Sequence, residues 1–138
     1  MLRVVVSVFG LCLFWLASSA SAEDERFVYI DVVGAPGDGE QALESALSNR
    51  FLDQGFTVTG TPTVNAYEIQ GTVKLLPASR GKETVRIDWT IFGPQGTRLD
   101  NVTQTKEIRK GSLNERWGPS AEAAASAAVL DILQLLPQ

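Results

Sequence analysis

The 138-residue chain contains no histidine and a single cysteine, Cys12. Imidazole and thiolate are the usual nucleophile partners and zinc ligands, so Ser-His-Asp triads and the common zinc sites are excluded. Cys12 aside, carboxylates, lysines and hydroxyls are the chemistry that remains. No basic run or stripe is present either: 12 basic residues stand against 16 acidic ones. That balance argues against nucleic acid and against anionic lipid surfaces as partners. Aromatic residues make up only 8% of the chain, which leaves no surplus for stacking on sugars. No cofactor is expected.

What the amino terminus does contain is an ordered series. Arg3 is followed by an apolar run from Val4 to Leu16, then by Ala17, Ser18, Ser19, Ala20, Ser21 and Ala22, then by the acidic cluster Glu23, Asp24, Glu25. The run is shorter than the roughly 20 apolar residues that span a bilayer. Basic, apolar and small-residue segments in that order read as a secretory signal peptide, with the A-x-A site of Ala20 and Ala22 placing cleavage after Ala22. Cys12 lies inside the apolar run behind Leu11, where a lipidation site requires a small residue, so a soluble protein with no stable membrane anchor is expected. With 22 of the 138 residues removed, 116 remain, enough for one domain, residues 23–138. Arg3 leaves with the signal, so 11 basic and 16 acidic side chains give the exported chain a charge of −5. A small exported domain without disulfides points to the periplasm.

Periodicity then divides the domain into elements. Phe27 to Val33 reads as a strand, closed by Gly34-Ala35-Pro36-Gly37-Asp38-Gly39. Asp38 and Gln41 have the spacing of a reciprocal helix cap. The helix that follows carries Leu43, Ala46, Leu47 and Phe51 on one face, and Gly55 supplies its left-handed stop. Phe56 to Thr59 is a short strand, and Pro62 and Asn65 mark a turn. Tyr67 to Leu75 and Thr84 to Phe92 alternate strictly, predicting an antiparallel hairpin wetted on one side. Its register stays open between Lys74 opposite Arg86 and Lys74 opposite Asp88, since an opposite-charge pair gains less than about 1 kcal/mol. After the turn Gly93-Pro94-Gln95-Gly96, Arg98 to Ile108 returns as a longer polar strand suited to a sheet edge. Pro119 opens a last helix with Ala121, Ala125, Ala128, Val129, Ile132, Leu133 and Leu136 along one stripe. The expected fold is a two-layer α+β sandwich, two helices on one face of a mostly antiparallel four- to five-stranded sheet.

Few residues present themselves for chemistry. Glu68 and Asp88 could face one another across the polar side of the hairpin, but a solvated pair without a cleft is the plainer reading. The loop Gly34 to Gly39 lacks the phosphate-cradle patterns, and Asp38 and Glu40 would repel an anion there, so a tight turn is expected. Trp117 is read either as a ring packed over the end of the sheet or as an exposed recognition residue, packing being favoured.

The middle of the chain carries an "A-L-x-x-A-L" helix, a "G-F-x-V" strand and the segment Ala66-Tyr67-Glu68-Ile69-Gln70-Gly71-Thr72-Val73. Over residues 40–75 this resembles the periplasmic α/β module of bacterial envelope proteins. Examples are the amino-terminal domain of the Tol-system propeller protein, the curli-secretion lipoprotein and the outer-membrane activators of peptidoglycan synthases. Over residues 23–138, including Gly34-Ala35-Pro36-Gly37 and Gly111-Ser112-Leu113 with Arg116-Trp117-Gly118, the chain is similar to small uncharacterised exported proteins of alphaproteobacteria. Many of those are lipoproteins, a pattern from which Cys12 departs. The resemblance implies a non-catalytic envelope protein, an adaptor or scaffold, with an unknown envelope protein as partner. A binder of a small molecule, lipid or glycan is the alternative, and a carboxylate-based hydrolase ranks last. The residues expected to meet a partner are Thr103, Thr105 and Lys106 on the polar strand, and Trp117.

Overall fold

The computed structural model describes residues 25–137. The expected signal segment, Cys12 included, lies outside the described residues. The elements follow the order β1 (Phe27–Val33), α1 (Gly39–Asp53), β2 (Thr57–Thr59), β3 (Ala66–Pro77), β4 (Lys82–Phe92), β5 (Arg98–Arg109) and α2 (Pro119–Leu135). One five-stranded sheet has the order β2-β1-β3-β4-β5. β1 pairs in parallel with β2 and β3, while the longer β3-β4 and β4-β5 ladders are antiparallel.

Alternation fixes which face each strand buries. Val28, Ile30 and Val32 of β1 join Tyr67, Ile69 and Val73 of β3 and Val85, Ile87, Trp89 and Ile91 of β4 in one core. The residues between them are polar and line the other, open face. Both helices cover the apolar face: α1 buries Leu43, Ala46, Leu47 and Phe51, and α2 buries Ala121, Ala125, Ala128, Val129 and Ile132. Burying each large apolar side chain contributes about 1.5–3 kcal/mol. Leu133 differs from the expected stripe, packing on the core only half-buried while its neighbour Ile132 is fully enclosed. Gly71 has a packing reason: a Cβ there would come within 2.6 Å of the Trp89 ring.

The hairpin resolves to the Lys74-Arg86 register. Gly81, at φ 73°, closes its loop, and Lys82 N donates to Ser79 O at 2.9 Å. The two cations need not repel strongly, because Arg86 turns along its own strand to Asp88 at 3.2 Å. This register sets Glu68 opposite Phe92 and Asp88 opposite Thr72, so the two carboxylates do not face one another.

Candidate functional site: the β5 edge and its groove

A five-stranded open sheet has two edges, and the chain treats them differently. On the short β2 side, β1 runs past the end of its neighbour, leaving backbone donors beyond Tyr29 without a strand partner. The helix supplies them: Glu44 Oε2 accepts from Val32 N at 2.9 Å and Glu40 Oε2 from Gly34 N at 3.0 Å. That exposed stretch of β1, beyond the end of β2, is closed by carboxylates. β5 forms the other edge over twelve residues and, among the described residues, pairs only with β4.

Two hydrogen bonds fix the direction of every amide along β5. Lys110 N donates to Gly81 O at 3.0 Å, continuing the β4-β5 pairing, and Gly93 N donates to Thr97 O at 2.8 Å at its other end. Because backbone groups alternate sides along a strand, the amides of Gln104, Lys106 and Ile108 point to β4. Those of Thr103, Thr105 and Glu107 point out of the sheet. An irregularity opposite Ile91 and Phe92 absorbs the extra residue Leu99 and brings the two ends into agreement. Thr103 and Thr105, both expected to meet a partner, are both on the outward-facing set and exposed.

Side chains alternate as well. Thr103 and Thr105 project on the open face, where the Thr103 hydroxyl donates to Asp88 Oδ1 at 2.7 Å. That bond, helped by Arg86, holds the Asp88 carboxyl below the usual carboxylate range. Val102, Gln104, Lys106 and Ile108 project on the helix side. Gln104 is the residue that strand polarity alone misassigns. Its Oε1 accepts from Trp89 Nε1 at 2.7 Å and its Nε2 donates to Ala124 O at 3.0 Å, tying sheet to helix. Its place two residues from Val102 and four from Ile108 is the sequence signal that would have turned it inward.

Beside this bridge, α2 leaves part of β4 and β5 uncovered. The result is an apolar groove of about 210 Å³, walled by Val85, Ile87 and Ile108 and closed below by Leu113 and Trp117. Its helix side is formed by the small residues Ser120, Ala123, Ala124 and Ala127, and Lys106 is the single charged side chain that the described residues contribute to its lining. Among the described residues Lys106 takes part in no ion pair.

Trp117 is not an exposed recognition residue. It is 2% exposed; its indole N–H donates to Pro36 O at 3.0 Å and its backbone N–H to Asp38 Oδ1 at 2.8 Å. The Asp38 side chain makes no cap bond with α1, so the expected exchange with Gln41 gives way to a tether between two loops. The same contacts fill the Gly34–Gly39 loop. A Cβ on Gly37 would strike the Glu115 backbone and one on Gly39 the Trp117 ring, which leaves no cradle for a phosphate.

No family model matches the chain, and no curated protein matches it. Solved structures of similar outline include a minor lipoprotein from Acinetobacter baumannii, 14% identical, covering 78% of this chain and 91% of its own, with a TM-score of 0.46. An uncharacterized protein is 12% identical over 80% of this chain and 89% of its own, TM-score 0.47. A hypothetical protein from Chlamydia trachomatis is 7% identical over 76% and 95%, TM-score 0.47.

Proposed function

We propose that this chain is an exported, non-catalytic protein of the periplasm that works as an adaptor or scaffold by accepting an extended polypeptide along β5. The observation that carries this reading is a contrast between exposed strands: where β1 runs past β2, Glu40 and Glu44 take up its amides, while β5 presents those of Thr103, Thr105 and Glu107. An added strand satisfies those groups and lengthens the sheet, the mode in which main-chain bonds supply affinity and flanking pockets supply selectivity. The leader-like residues 1–22 support export.

Proline tests the edge directly, since it removes an N–H from only one side of the strand. Thr103→Pro and Thr105→Pro remove outward amides and should abolish stoichiometric capture of a partner by the tagged chain in its own organism, with circular dichroism unchanged. Gln104→Pro removes an amide bonded to β4 and should unfold the sheet edge. If both threonine variants capture as the parent does, the β5 edge is not the binding surface. The groove favours a second reading, a binder of a small apolar ligand. A rise in melting temperature with a medium-chain fatty acid, lost on Ala124→Trp, would select it.

A further inference from the structure

We infer that the partner strand at β5 is the β5 of a second copy of this chain, paired antiparallel about a twofold axis through Thr105. The inference rests on the reading above that β5 accepts a strand, and adds the identity of that strand. An isologous interface requires a surface complementary to itself, and β5 has this property in one register. With Thr105 on the axis, the outward backbone groups of Thr103 meet those of Glu107 of the second copy. On the helix side, Val102 then lies beside Ile108 and Asp100 beside Lys110, each twice by symmetry.

The neighbouring registers lack this match. An axis at Gln104 sets Val102 against Lys106 and Asp100 against Ile108. An axis at Lys106 or at Glu107 brings like charges together on the axis, and one at Thr103 sets Val102 against Gln104. Val102 and Ile108 are the two half-buried apolar residues of β5, and their mutual cover completes the burial that the core begins. A twofold axis perpendicular to the sheet keeps the helices of both copies on one face. The groove of each copy therefore opens toward the other, and the exposed Leu130 of α2, 62% accessible, lies on the helix that borders it.

A single thiol reads the register. In the chain carrying its own leader and Cys12→Ser, Thr105→Cys places the two introduced thiols on the axis, with Cα atoms about 5.5 Å apart. Arg109→Cys places its two thiols eight residues apart along the paired strands, about 26 Å. A short bismaleimide should convert the Thr105→Cys protein to a covalent dimer and leave the Arg109→Cys protein uncoupled. Asp100→Lys should weaken self-association in sedimentation by roughly tenfold, and adding Lys110→Asp should restore it. Equal coupling at both positions, or a monomer at every concentration, overturns the self-pairing. A monomer whose partner capture is still lost with Thr103→Pro overturns only the second copy and leaves the edge reading standing. If Thr103→Pro itself unfolds the domain, both fall.

Discussion

Asp88 shows how one hydroxyl on the open face sets the behaviour of a carboxylate. Thr103, on the next strand and in register with it, donates at 2.7 Å, and Arg86 adds a weaker bond at 3.3 Å. Both stabilise the charged form, so the folded-state pKa lies below the ordinary value. The sign follows from linkage: a lowered carboxylate pKa contributes stability above the unfolded-state value, and that contribution fades as pH falls through the folded-state value. Thr103→Val removes the first donor and keeps the shape. The Asp88 titration followed by carboxyl-carbon NMR should move up toward the ordinary value, and the variant should lose less stability than the parent on acidification. An unmoved titration would assign the shift to the cations Arg86 and Lys74.

The helix α2 illustrates how a correct element can carry a misplaced emphasis. Its start at Pro119, its small early residues and its large later ones are all as periodicity predicts. The rotation of the helix about its axis is what the sequence leaves open by some tens of degrees. Contact with α1, to which it is also joined by Arg50 and Glu122 at 3.3 Å, turns Ile132 fully inward and Leu133 partly out. Ile132→Asp puts an unpaired charge in the core and should cost about 4 kcal/mol or more, a large share of the roughly 5–15 kcal/mol available to a domain. Leu133→Asp can turn its carboxylate to water and should cost clearly less. Urea titration of the two variants checks the order, and equal losses would show that both positions are core.

At the scale of the whole molecule the sheet is asymmetric in how it ends. Glu40 and Glu44 lie one helical turn apart on α1 and reach the amides of Val32 in β1 and of Gly34 just past its end, so a strand cannot pair along that stretch without displacing charged acceptors. Glu40→Ala combined with Glu44→Ala should lower the melting temperature by several degrees and introduce a second mode of association, one that Thr105→Pro does not suppress. Light scattering against concentration, in the presence and absence of Thr105→Pro, reads this. If association in the double alanine variant vanishes with Thr105→Pro, the carboxylates are not guarding an edge.

The elements and the faces they bury follow from local patterns in the chain. A period of two in β3 and β4 and a helical period in α1 and α2 are local properties of the chain, and each states which side is apolar before any partner strand is known. The polar composition of β5 likewise marked it as an edge. The tertiary structure alone decided the relations between elements. The hairpin register depended on a loop closing at Gly81 against a cross-strand charge difference too small to choose. Asp38 bonds Trp117, 79 residues away in sequence, rather than its own helix, because a side chain serves whichever donor folding brings within reach. Gln104 and Lys106 look like solvated edge residues in composition, yet the pleat turns both toward the helices, where one bridges the layers and the other overhangs the groove. Such long-range choices rest on energies summed over many contacts, and no short stretch of sequence contains that sum.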